Sequence, residues 1–352
     1  MKPVFTADER WCLYSTSSAV HLELTRKLEG VPMATSEYDD QRELANLSFY
    51  NRSSDTTLHI AGSINCFTSL LFFISYTIYL KILLGVQKME KSLYILSIIN
   101  SIFDMVQLVC HFYSGVILIL AVECGPKRID QVFGSFLSSS WIQTTVNITH
   151  FTLLRMFIVL SPIAVRKVYK RPHAVIVPGV GIFLVALVIE NSPWAAFLFE
   201  PASFTWFFDD ERVLSSVLDY SDLVLTIMYL SASVLSYAVI VTKILINIGG
   251  RRETKITIQA IIYCSYTSCT FIFWVFIDPI VVYTPAPLFL SNYLWLIWNG
   301  LNPTLEIVFN RRIRMKYAQV LCCRKKKTRA DDIHIDGVKR AFTITSANFS
   351  AY

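Results

Sequence analysis

Asp104, Arg155 and Glu306 each interrupt a long apolar run. An ionisable side chain in such a run is costly to hold in hydrocarbon, so it marks an ion path, a proton relay or a switch. Asp104 lies midway along the second run, with Ser140 and Thr144 of the third and Asn299 and Asn302 of the seventh as candidate partners. Together they would hold a sodium ion or water, or form a plain hydrogen-bond cluster between helices. Arg155, near the end of the third run, reads as a switch residue or as an arginine snorkelling to the interface. Glu306, near the end of the seventh, would stay ionised beside an arginine, and Arg155 is the candidate at matching depth. A second group is acidic and aromatic: Glu190, Asp219, Asp222 and Asp278, with Trp141, Trp194, Trp274 and Trp295. Converging at the mouth of a bundle, they would line a ligand pocket. Dispersed, they would be an interfacial aromatic belt with solvated acids.

The stretch NPTLEIVFNRRIRMKYAQVLCC, Asn302 to Cys323, shows what must position these groups. Pro303 removes a backbone donor inside an apolar helix and kinks it. Beyond the kink, Ile313, Tyr317, Val320 and Leu321 share one helical face, flanked by Arg311, Arg312, Arg314 and Lys316. A helix of this kind lies flat on anionic membrane lipid. Cys322 and Cys323 stand where palmitate would anchor its end.

The chain of 352 residues is 54% hydrophobic and only 16% charged, with a mean hydropathy of +0.48. So little charge over so long a chain indicates an integral membrane protein. The net charge of +6 sits beside apolar runs, which argues against nucleic acid as a partner. Seven apolar runs, at about 59–84, 93–121, 133–160, 174–199, 217–246, 256–282 and 286–309, can each cross a hydrocarbon core of roughly 30 Å as a helix. The fold class is therefore an all-α bundle of seven transmembrane helices over 59–309. An extracellular tail (1–58) precedes it, and an amphipathic helix (310–323) and cytoplasmic tail (324–352) follow. The loops after the first, third and fifth runs carry the Lys and Arg residues, including Lys88, Lys91, Arg166, Lys167, Arg251 and Arg252. That side faces the cytoplasm, which puts the N-terminus outside and the C-terminus inside.

The first 30 residues lack an apolar core of signal-peptide type, so the tail is expected to cross with the first span. Sequons at Asn46 and Asn51 agree with an outside tail. On the outer side only Cys12 and Cys124 are available to bridge; they pair with each other, or Cys12 stays free or pairs between chains.

These residues resemble those of a rhodopsin-like G protein-coupled receptor. That family's Asn-Pro-x-x-Tyr ending of the seventh span falls on Asn302 and Pro303, with Glu306 in place of Tyr. Its Phe-Arg pair at the start of the short helix falls on Ile313 and Arg314. The arginine that closes its third span falls on Arg155, with Pro162 seven residues on, and its second-span aspartate falls on Asp104. The departures are specific. Leu154 precedes Arg155 where the family has an acid, Trp274 and Pro279 depart from the usual sixth-span spacing, and residues 200–216 hold no cysteine for the family's bridge to the third span. Motifs this loose look like those of the nematode chemosensory serpentine receptors.

The resemblance implies a plasma-membrane chemoreceptor. It would bind a small molecule or peptide at its outer mouth and activate a heterotrimeric G protein through Arg155 and the inner helix ends, without enzymatic activity. Arrestin would be a further partner through Thr328, Thr343, Thr345, Ser346 or Ser350, or these belong to an ordinary polar tail. A biogenic amine is disfavoured because the family's amine-binding position is Leu137, and retinal because 286–309 holds no lysine. The rival function is a transporter or channel, which would need a charged path or paired broken helices.

Overall fold

The structure is a computed structural model that describes residues 55–85, 91–120, 127–161, 173–201, 203–209, 211–246, 258, 262, 265–274 and 285–322. Its helices are α1 (Asp55–Leu84), α2 (Lys91–Leu120), α3 (Lys127–Leu160), α4 (His173–Glu190), α5 (Val213–Ile246), α6 (described over 265–274), α7 (Pro285–Phe309) and α8 (Arg311–Leu321). Between α4 and α5 lie two antiparallel strands, β1 (Phe197–Glu200) and β2 (Thr205–Phe208).

By length and composition α1, α2 and α5 are each able to cross a membrane. The third run reads as the least apolar because α3 is the hub. It packs on α2, α4, α5 and β1, and its Ser135, Ser138, Ser139, Ser140, Gln143, Thr144, Asn147, Thr149 and Thr152 are all buried. Facing protein rather than lipid, most of these side chains find partners without water. Gln143 shows how: its amide nitrogen, Nε2, donates to Pro178 O at 3.0 Å, and its Oε1 accepts from Phe183 N at 2.8 Å. It thereby serves backbone groups of α4 beside the proline that breaks that helix's ladder.

α1 and α2 meet at small residues. A Cβ on Gly62 would sit 2.6 Å from Gly115 O, and one on Gly115 would sit 2.7 Å from Cys66 Sγ. Such contacts let helix backbones approach closely in lipid. At the inner end, Asn310 separates α7 from α8. Its Oδ1 accepts from Ile313 N at 3.4 Å and its carbonyl from Arg314 N at 2.9 Å, an N-cap for α8. Ile313 is buried, and Tyr317 OH bonds Ser75 Oγ at 3.2 Å, which ties α8 to α1. Val320 and Leu321, on the same face, are left exposed.

The fourth apolar run does not end as a helix at 199. α4 stops at Glu190, and residues 197–200 form β1. Phe197-Leu198-Phe199 is apolar enough to extend the run in the sequence, but its aromatic side chains are buried in a protein core at the outer end rather than against lipid.

Candidate functional site

The hairpin covers the outer end of the bundle. Phe197, Phe199, Phe204, Trp206 and Phe208 share one core with Leu58 and Ala61 of α1, Ile117 and Leu118 of α2, and Leu137 of α3. β1 packs on α3, and β2 on α5 and α7. At the turn, Phe204 adopts φ 56°, in the left-handed region that a residue with a Cβ rarely takes. Its ring is 1% exposed and lies 6.0 Å from that of Phe289, so burial of the aromatic offsets the backbone cost.

Three polar devices hold the hairpin to the helices. Gln131 Nε2 points at the carbonyls of Glu190, Ser192 and Ala195, each at 3.1 Å. Arg212 pairs through Nε with Asp209 Oδ2 at 3.0 Å and donates through Nη1 to Ala195 O at 2.9 Å. Ser215 Oγ accepts from Ala196 N at 3.0 Å. Backbone contact completes the attachment: an added Cβ on Gly134 of α3 would lie 1.7 Å from Phe197 O. Beside this junction Tyr113 OH bonds Asp130; burial pushes the Asp130 carboxyl up from its ordinary value, while that hydrogen bond pulls it down.

Beneath the hairpin is a cage of tryptophans. The Trp141 ring of α3 lies 5.5 Å from that of Trp274, 5.4 Å from Trp295 and 5.0 Å from Trp298, edge to face in each case. Trp274 stacks on Trp298 at 6.2 Å. Asp222 of α5 lies beside the side chains of Trp141 and Thr226. Glu190 accepts from Ser138 Oγ at 2.8 Å and Ser139 Oγ at 3.3 Å, and it lies within electrostatic reach of Asp222, as Asp219 does. The structure thus brings together Trp141, Trp274, Trp295, Glu190, Asp219 and Asp222. It does not bring in Trp194, which is 63% exposed. Trp298 escaped the sequence reading, although its spacing of three from Trp295 puts both on one face of α7.

Deeper, Asp104 is buried, and its Oδ2 accepts from Tyr76 OH at 2.5 Å and Asn100 Nδ2 at 3.1 Å. Neither partner was expected, though Asn100 is one helical turn from Asp104. Of the expected ones, Thr144 reaches the Asp104 carboxyl and also accepts from Gln107 Nε2 at 3.2 Å. Ser140 and Asn299 are buried, and among the described residues neither the Ser140 hydroxyl nor either Asn299 amide atom has a hydrogen-bond partner. Asn302 is half-buried in α7 beside Pro303. Asp104 Oδ1, both ring nitrogens of His111, and the amides of Asn65 and Asn292 are likewise buried without partners.

At the inner end, Arg155 occupies α3 five residues before its last residue, Leu160, with its side chain outside the described part. Glu306 accepts from Asn310 Nδ2 at 3.3 Å, and Arg314 Nη1 donates to Val308 O at 2.6 Å. Cys322 is exposed as a free thiol at the end of α8. Cys12, Asn46, Asn51, Cys124, Pro162, Asp278 and Cys323 lie outside the described residues.

Among the described residues, seven helices with the polar α3 as their hub, and an eighth at the inner end, define a seven-transmembrane receptor. Residues 45–330 match the family described as serpentine type 7TM GPCR chemoreceptor Srt, and the chain belongs to that family. Its fold is similar to that of squid rhodopsin, with a TM-score of 0.55 and 12% identity over 80% of this chain and 91% of the other. Comparison with curated proteins gives no match.

Proposed function

We propose that this chemoreceptor binds a small extracellular ligand against the Trp141 cage and signals through its inner helix ends to a heterotrimeric G protein at the plasma membrane. One observation carries the reading. Trp141 of α3 touches Trp274 of α6 and both Trp295 and Trp298 of α7, and lies beside Asp222 of α5. A ligand that rearranges this one side chain changes the packing of four helices. It shifts their equilibrium only as far as its affinity differs between the two arrangements.

The acids and the tryptophans suit a ligand with an apolar body and a hydrogen-bond donor for Asp222 or Glu190. A sodium ion beside Asp104 belongs to the same proposal: Asp104 Oδ1, Asn299 Oδ1 and the Ser140 hydroxyl are oxygen donors without protein partners. At the inner end Arg155 would meet the G protein and Glu306 would hold it at rest. The basic face of α8 would sit on lipid with palmitate on Cys322 and Cys323, and arrestin would read the phosphorylated tail.

The test is expression with a panel of G protein reporters and a small-molecule library. A response abolished by Arg155→Ala with surface expression kept is the expected result; ordinary signalling by that variant overturns Arg155 as the switch.

A further inference from the structure

A cavity lies on the outside of the bundle. It is an open groove of about 620 Å³ between α1 and α7, facing where lipid must be. Ile64, Phe67, Leu71 and Ile297 line its walls, and Thr68 and Tyr293 lie side by side within it. Phe67 and Leu71 are 70% and 54% exposed, as lipid-facing residues are.

The hydroxyls say what the groove would take. Thr68 Oγ1 and Tyr293 OH are 3.3 Å apart, and each is the other's hydrogen-bond partner. Two hydroxyls hold two donor hydrogens, and their mutual bond uses one. The second O–H therefore has no acceptor among the described residues, a position that costs free energy unless an occupant supplies one.

Depth narrows the occupant further. Thr68 is the fourteenth residue of the 30 in α1, close to the middle of that helix and so to the bilayer centre. A phospholipid carries its ester carbonyls at headgroup level, roughly half a 30 Å core away. Its acyl chain could fill the groove but could not satisfy the hydroxyl. The groove opens on the outside of α1 and α7, where Phe67 and Leu71 are exposed.

We infer that the groove between α1 and α7 binds an elongated, membrane-partitioned molecule with one hydrogen-bond acceptor, such as a ketone, ether or alcohol, seated against Thr68 and Tyr293. From Ser63 to Phe72 the groove runs nine residues along α1, or roughly 14 Å at the helical rise, which sets the length of the apolar body. The site stands apart from coupling through Arg155, because it is defined by binding alone.

The full chain in phosphatidylcholine nanodiscs, exposed to an alkyl ketone of that length bearing a diazirine, tests this. Saturable photolabelling of the 63–72 and 293–297 segments is expected, competed by the unlabelled ketone and not by the alkane of equal length. Thr68→Val with Tyr293→Phe should lower labelling roughly three- to tenfold, the range that one hydrogen bond supports. Thr68→Ser should keep it, which guards against a variant that fails to fold. Labelling that never saturates means bulk lipid only and overturns the inference, as does equal competition by the alkane. Probe uptake that requires removal of residues 1–54, or cross-linked pairs of chains that exclude the probe, would give the groove to the N-terminal segment or to a second copy and overturn it too.

Discussion

Two regions of this receptor hold buried polar groups and are oppositely equipped. Around the hairpin, the carbonyls of Glu190, Ser192 and Ala195 converge on Gln131, Arg212 holds Asp209 and Ala195, and the Glu190 carboxylate takes two serine hydroxyls. Along the seam of α1, α2 and α7, Asn65, His111, Asn292 and Asn299 are buried with side-chain polar atoms that have no partner. The first arrangement has one low-energy state, because any movement breaks bonds that water cannot replace. The second keeps its polar atoms in want of partners, so water, an ion or a shifted helix can each lower its energy. Burial alone is therefore no measure of rigidity. The outer cap is built to stay, and the seam is built to rearrange.

Four substitutions would break or sharpen that contrast. The largest effect is expected from Trp141→Ala, which empties the centre of the tryptophan cage and should cost about 3–5 kcal/mol in thermal or denaturant unfolding, with ligand response lost. Next is Gly134→Ala, which should cost about 3 kcal/mol by forcing α3 and β1 apart; a neutral result would mean that β1 is not held against α3. Gln131→Leu should destabilise by about 2 kcal/mol, since it strands buried carbonyls. Smallest is Asn299→Leu in the seam. It removes a buried amide that bonds nothing and should leave stability unchanged or raised by about 1 kcal/mol, while weakening agonist-driven G protein activation. If Asn299→Leu destabilises as much as Gln131→Leu, the seam is as firmly satisfied as the cap, and the contrast fails.

Much of the helical architecture was legible because apolar length and loop charge are local in the chain. The convergence of Trp141, Trp274, Trp295, Glu190 and Asp222 was also legible as a region, because each fell near the outer end of its run. The hairpin was not. Phe197 and Phe199 count as apolar whether they face lipid or a protein core, so hydropathy alone ran the fourth span through them. The Asp104 cluster was half read. Asn100 stands one turn away on the same helix and was open to inference, whereas Tyr76 comes from α1, and no spacing rule sets the register between two helices. The loop that lacks the receptor family's cysteine is held by Gln131 and Gly134 instead, and neither residue type announces that role in a sequence.

The polarity of α3 has a consequence for how the protein is made. α1, α2 and α5 are able to cross a membrane by their own composition. α3 carries serine, threonine, glutamine and asparagine on the faces that its neighbours cover. Emerging from the ribosome alone, it would be a poor substrate for insertion, because Ser138 and Gln143 find partners outside the helix only in α4. The central helix of the finished receptor should therefore enter the bilayer as part of a group. Biogenesis should stall at α3 whenever α2 or α4 is delayed or damaged.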